Sequence, residues 1–185
     1  MNEKNSLTIK ETFTLAVQNH KKNNFQIAEK LYKEILKINS NHFESIYLLG
    51  SLSLQIKNLN QAKQLLQKAT EINPNFAEAH YNLGLIFSET KEIEKAISCY
   101  QKAININPNY ADAHNNLGNV LKDSGKFEEA ISYYQKVIEI NPNYAEAHYN
   151  IGLVYVKLGK LLKAKESFLK VIQIIPNFVI ALNAL

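Results

Sequence analysis

Between Ala77 and Tyr110 the apolar positions fall into two stripes of helical spacing, Ala79, Leu83, Ile86 and Phe87, then Ile93, Ala96, Ile97, Tyr100, Ala103 and Ile104. The polar break Thr90-Lys91-Glu92 separates them, so this stretch reads as two helices joined by a tight turn. Shifted by 34 residues, most of the pattern returns: Ala111-Asp112-Ala113-His114, Asn116-Leu117-Gly118, Ala130, Tyr134 and Asn141-Pro142-Asn143 answer to Ala77-Glu78-Ala79-His80, Asn82-Leu83-Gly84, Ala96, Tyr100 and Asn107-Pro108-Asn109. A repeat of this length means an array in which no unit buries its apolar face alone.

The period divides the chain into a lead-in, 1–8, five full units, 9–42, 43–76, 77–110, 111–144 and 145–178, and the start of a truncated sixth, 179–185. Each unit is expected to be a helical hairpin. Gly125 and Gly159 stand in the breaks of the fourth and fifth units, where a helix end often needs a left-handed residue. Proline stops the second helix of a unit near Asn73, Asn107 and Asn141. Asn75, Asn109 and Asn143 then stand where an N-cap belongs, with Glu78, Asp112 and Glu146 three residues on, a capping-box spacing.

Glycine inside a helix costs about 1 kcal/mol relative to alanine. The return of Gly50, Gly84, Gly118 and Gly152 therefore calls for close approach of two helices, and the alanine series Ala28, Ala62, Ala96, Ala130 and Ala164 reads as the floor of such a contact.

These residues resemble the signature of the tetratricopeptide repeat. His80, His114 and His148 match its fourth position, Leu49-Gly50, Leu83-Gly84, Leu117-Gly118 and Ile151-Gly152 its seventh and eighth, and the alanine series its twentieth. Tyr32, Tyr100, Tyr134 and Phe168 match the twenty-fourth, where Leu66 departs, and Pro74, Pro108, Pro142 and Pro176 fill the proline slot. The resemblance covers nearly the whole chain. It implies an all-α fold, a right-handed superhelical solenoid of antiparallel helix pairs, whose concave face binds a peptide or another protein.

Composition changes this picture little. The net charge of +4 and pI near 9.0 invite a nucleic-acid partner, but all 21 basic residues are lysine, interleaved with 17 acids. Bidentate readout of bases or phosphates favours arginine, so no specific nucleic-acid binding is expected. No secretory leader or membrane span is visible, and the lone Cys99 fits a reducing, cytoplasmic setting as a packed thiol.

Three histidines at one register cannot share a metal, because stacked helices lie roughly 10 Å apart while each ligand nitrogen must be about 2 Å from the ion. Glu78, Asp112 and Glu146 are explained by their helix-start positions. No catalytic, cofactor or metal residues are assigned.

The candidate binding residues lie on the first helices. Tyr47, Tyr81 and Tyr149, with Asn115 in the remaining unit, fall beside the apolar stripe; Asn82, Asn116 and Asn150 adjoin them, and Leu85, Asn119 and Leu153 follow one turn on. Together they are expected to line a groove, with the amides of Asn82, Asn116 and Asn150 facing solvent when no ligand is bound. An asparagine amide offers both donor and acceptor to an extended peptide backbone. The row resembles the asparagine ladder in the repeat region of O-linked N-acetylglucosamine transferases, over those three residues only, since Thr14 and Leu48 hold the slot earlier. The cationic clamp of chaperone adaptors, which takes acidic tails, has no matching lysine cluster.

The leading expectation is a non-catalytic scaffold holding a protein or extended peptide segment. A rival is the substrate-recognition arm of a larger glycosyltransferase or sulfotransferase with its catalytic domain beyond residue 185, motivated by the apolar, uncapped Val179 to Leu185. Self-association through that exposed end is a third reading.

Overall fold

The computed structural model describes residues 8–176. The start of the sixth unit and the apolar end Val179 to Leu185 lie outside the described residues. Ten α-helices follow one another, α1 (Ile9–Lys21), α2 (Phe25–Ile38), α3 (Phe43–Gln55), α4 (Leu59–Ile72), α5 (Ala77–Glu89), α6 (Ile93–Ile106), α7 (Ala111–Asp123), α8 (Phe127–Ile140), α9 (Ala145–Lys157) and α10 (Leu161–Ile174), with no strand among the described residues. The chain forms two compact units that divide within α5, one up to Ile86 and one from Phe87.

In the first unit α1 pairs with α2 and α3 with α4, and α2 also packs on α3. Ala16, Ala28, Leu31, Tyr32, Leu49 and Leu52 form its buried cluster, flanked by Phe13, Val17, Phe25 and Leu48. In the second unit α7 pairs with α8 and α9 with α10, while α6 packs on α7 and α8 on α9. The all-α array of helix pairs expected from the 34-residue period is what forms.

Each hairpin turn closes on a residue in the left-handed region, Gly125 (φ 77°) and Gly159 (φ 69°) as expected, and Asn23, Lys57 and Lys91 (φ 60–63°) in the other repeats. The helical glycines are spacers. A Cβ on Gly118 would lie 2.6 Å from Cε1 of the buried Tyr134 ring, one on Gly152 would strike the Phe168 ring, and one on Gly50 would come 3.0 Å from Leu66 Cγ. Helix approach thus depends on a small residue in the first helix facing a large one in the second.

The helix starts differ by one residue from the expected caps. The side chains of Asn73, Asn107 and Asn141 accept from the backbone N–H groups of Asn75, Asn109 and Asn143 at 3.1–3.2 Å, closing Asx turns. Tyr110 and Tyr144 are the N-caps of α7 and α9 and give no side-chain cap, so Asn109 and Asn143 are not caps. A true capping box occurs only at α1 among the described helices for which caps are defined, where Thr8 and Glu11 bond reciprocally.

Each of the three histidines shares a hydrogen bond with the carbonyl of the preceding proline: His80 Nε2 with Pro74, His114 Nε2 with Pro108 and His148 Nε2 with Pro142, at 2.9–3.0 Å. With the carbonyl as acceptor, Nε2 carries the proton. The imidazole tethers the start of its helix to the inter-repeat turn, a structural use.

Candidate peptide-binding groove

In the first unit, Tyr47 forms a three-ring cluster with Phe43 and Phe76, its ring centroid 4.7 Å from that of Phe76 in an edge-on contact. Burial and then the charge of Glu78 push the Tyr47 hydroxyl above the ordinary tyrosine range, while the polar side chain of Asn82 opposes them. Asn82 is 9 % exposed, so its amide does not face solvent as expected. Tyr81 and Leu85 are half-buried.

Sequence reasoning missed a concave site in the same unit. A cavity of about 340 Å³ is lined by Val17, His20, Lys21, Asn23, Tyr32, Leu48 and Gln55. His20 Nδ1 lies 3.4 Å from the Tyr32 hydroxyl and Nε2 lies 3.3 Å from Gln55 Oε1. As Gln55 Oε1 can only accept, His20 donates through Nε2 and accepts the Tyr32 proton at Nδ1. Neither register is uniform, Val17 answering to Ser51, Leu85, Asn119 and Leu153 and His20 to Leu54, Ser88, Lys122 and Val156, so the period gave no signal for this cavity.

The second unit carries a connected set of polar side chains on α7, α8 and α9. Tyr134 Oη donates to Asn119 Oδ1 at 2.7 Å, and Asn150 Nδ2 donates to the same oxygen at 3.0 Å. Asn150 Oδ1 in turn accepts from Lys122 Nζ at 3.4 Å. Asn150 is 5 % exposed and bonded at both ends of its amide, so it too departs from the expected solvent-facing amide. The oxygen of Asn119 thus accepts twice. Asn116 keeps a half-buried position.

One turn earlier on α7, Asn115 Nδ2 donates to Glu146 Oε1 at 2.9 Å, and Tyr144 Oη donates to Asp112 Oδ1 at 2.7 Å. Glu146 therefore accepts a bond from across the repeat boundary and Asp112 one from the last residue of its own repeat, and both stand at the positive end of a helix dipole. Burial, followed by the charges of Asp123 and Glu146, raises the Tyr134 hydroxyl well above its ordinary value, so it stays a donor. Tyr149 and Leu153 pack against the cluster of Ala164, Phe168 and Val171, with 5.8 Å between the ring centroids of Tyr149 and Phe168. They are floor as much as surface.

Profiles described as TPR repeat match residues 50–91, 86–124 and 118–159, and one described as tetratricopeptide repeat matches residues 145–178. The chain belongs to the tetratricopeptide repeat family. Its fold is similar to a crystal structure of MamA protein, with a TM-score of 0.82 at 32 % identity over 90 % of this chain and 91 % of that one. It is also similar to YrrB, described as a TPR protein with an unusual peptide-binding site, with a TM-score of 0.81 at 26 % identity over 98 % of this chain and 94 % of that one. MamA from Desulfovibrio magneticus RS-1, 21 % identical over 90 % of this chain and 94 % of that one with a TM-score of 0.83, shares the fold. No curated protein sequence matches the chain.

Among the described residues, no three His, Cys, Asp or Glu side chains come together to hold a metal ion. No described helix is long and apolar enough to cross a membrane. Cys99 is half-buried, and burial pushes its thiol up despite the neighbouring Lys102, which makes it a poor nucleophile.

Proposed function

We propose that this protein is a non-catalytic scaffold whose first-helix surface holds an extended segment of a partner protein. The observation that carries this is Asn119. With its oxygen taken by Tyr134 and Asn150, its NH2 is oriented in advance toward a backbone carbonyl, flanked by the half-buried Asn116, Tyr149 and Leu153. Such preorganisation lowers the entropy cost of binding. The likeness to YrrB supports a peptide as the kind of ligand, and the polar rather than arginine-rich surface favours protein over nucleic acid. In this reading Tyr47, Tyr81, Asn82 and Leu85 supply contacts in the first unit, and Asn115 and Asn150 position their neighbours. The lone cysteine is in keeping with a cytoplasmic setting.

The test is selection of displayed random dodecapeptides on the purified protein, followed by hydrogen exchange with and without a recovered peptide. Protection is expected at the first-helix surfaces of α7 and α9. Protection confined to α8 and α10 would contradict the reading.

A further inference from the structure

We propose that the groove of the second unit selects an extended segment carrying a lysine side chain, whose ammonium is held between Asp112 and Glu146. The inference rests on the peptide-binding reading above and adds the chemistry of the partner.

Asp112 and Glu146 are the second residues of α7 and α9, the same register in consecutive repeats, and both are exposed. Each is anchored through one oxygen only: Asp112 Oδ1 by the Tyr144 hydroxyl and Glu146 Oε1 by Asn115 Nδ2. Their second oxygens remain as acceptors. Among the described residues no lysine or histidine lies within ion-pair distance of either carboxylate, and the nearby Lys122 turns instead to Asn150 and to Asp123, 3.9 Å away.

A separate observation points to a missing donor. Asn115 is 2 % exposed, its Nδ2 is used on Glu146, and its Oδ1 has no hydrogen-bond partner. A buried acceptor left unmet costs free energy that a ligand donor recovers. Asp112 and Asn115 stand three apart on one helix, hence on one face, and Asn115 touches Glu146, so the three acceptors form one cluster. Its two charged members are acceptors only.

A lysine ammonium has three donors and no acceptor, which matches that set. Drawn between the carboxylates, it comes within reach of Asn115 Oδ1 as the exposed Glu146 side chain shifts toward it. An acidic tail would meet two like charges. Two carboxylates and one amide are too few ligands to make a metal site comparably apt.

The experiment uses three labelled dodecapeptides, alternating alanine with lysine, glutamine or glutamate, titrated at low salt against the parent and against the Asp112→Asn/Glu146→Gln variant. These substitutions keep the oxygens that accept from Tyr144 and Asn115. The lysine peptide is expected to bind the parent about tenfold more tightly than the glutamine peptide. The double variant should erase that preference, whereas Glu128→Gln, an exposed acid on α8, should leave it intact. Equal binding of the lysine and glutamine peptides, no binding of the lysine peptide, or a preference that survives the double variant would each overturn the proposal. If the peptides bind alike and Asn119→Asp weakens the glutamine peptide, the groove reading stands and only the lysine preference falls.

Discussion

Tyr134 and Asn119, fifteen positions apart in sequence, meet through a 2.7 Å hydrogen bond that joins the packing core of one hairpin to its proposed binding face. The ring of Tyr134 fills the space left by Gly118, and its hydroxyl fixes the amide of Asn119. One residue therefore sets both helix spacing and the polarity that the groove presents. Tyr134→Phe should cost about 0.5–1.5 kcal/mol in urea unfolding, the usual worth of one hydrogen bond. A fully neutral effect would mean that the bond carries no net stability.

Gly118→Ala tests the spacing directly. Alanine gains about 1 kcal/mol in helix propensity, but its Cβ would meet a fully buried ring at 2.6 Å. Overpacking costs about 1–3 kcal/mol, and a buried tyrosine has little room to retreat. The expected outcome is a lower denaturation midpoint; a raised midpoint would show that the α7–α8 contact yields easily.

Lys91 adopts the left-handed conformation that Gly125 and Gly159 adopt in later repeats, at φ 62°, and its side chain is exposed. A left-handed non-glycine residue is strained by roughly 1–2 kcal/mol, and the greater freedom of glycine in the unfolded chain offsets part of that. Lys91→Gly should therefore stabilise by about 0.5 kcal/mol in thermal or urea unfolding. A loss of stability would mean that the turn holds lysine without strain.

Tyr32 is fully buried, and burial pushes its hydroxyl up to about 12. The unfolded chain gives up this proton near pH 10, while the folded chain keeps it. The unfolded state is then the less protonated one between pH 10 and 12, so stability falls as pH rises through that window and is unaffected by Tyr32 below it. The stability difference between the parent and Tyr32→Phe should be flat from neutral pH to about 9 and shift against the parent above 10. A difference that stays constant through pH 12 would contradict the assignment.

The period, the hairpins and the glycine spacers were legible because their causes lie within one unit: Gly118 and Tyr134 are read together once the stripe of each helix is known. The helix caps were misplaced by one residue because both asparagines of Asn-Pro-Asn are competent, and only the backbone geometry decides that Asn107 and Asn141 close the turn. The proposed groove is read from the sequence as a register and not as a set of roles. Asn150 bonds Asn119, a residue 31 positions away whose identity no local period encodes. Asn115 was placed on the same surface, but its bond to Glu146 depends on the next unit.

The most direct test of the groove is Asn119→Asp. Aspartate keeps an oxygen for Tyr134 and Asn150 to donate to and removes the outward NH2, so fold and function separate at a single atom. Unfolding of the variant should remain within about 1 kcal/mol of the parent, in the range of changes that break no buried contact. Its affinity for an uncharged peptide recovered by display should fall about tenfold, the worth of one ligand hydrogen bond together with the repulsion of a backbone carbonyl. Unchanged affinity in an equally stable variant would contradict the claim that this amide reads the bound chain.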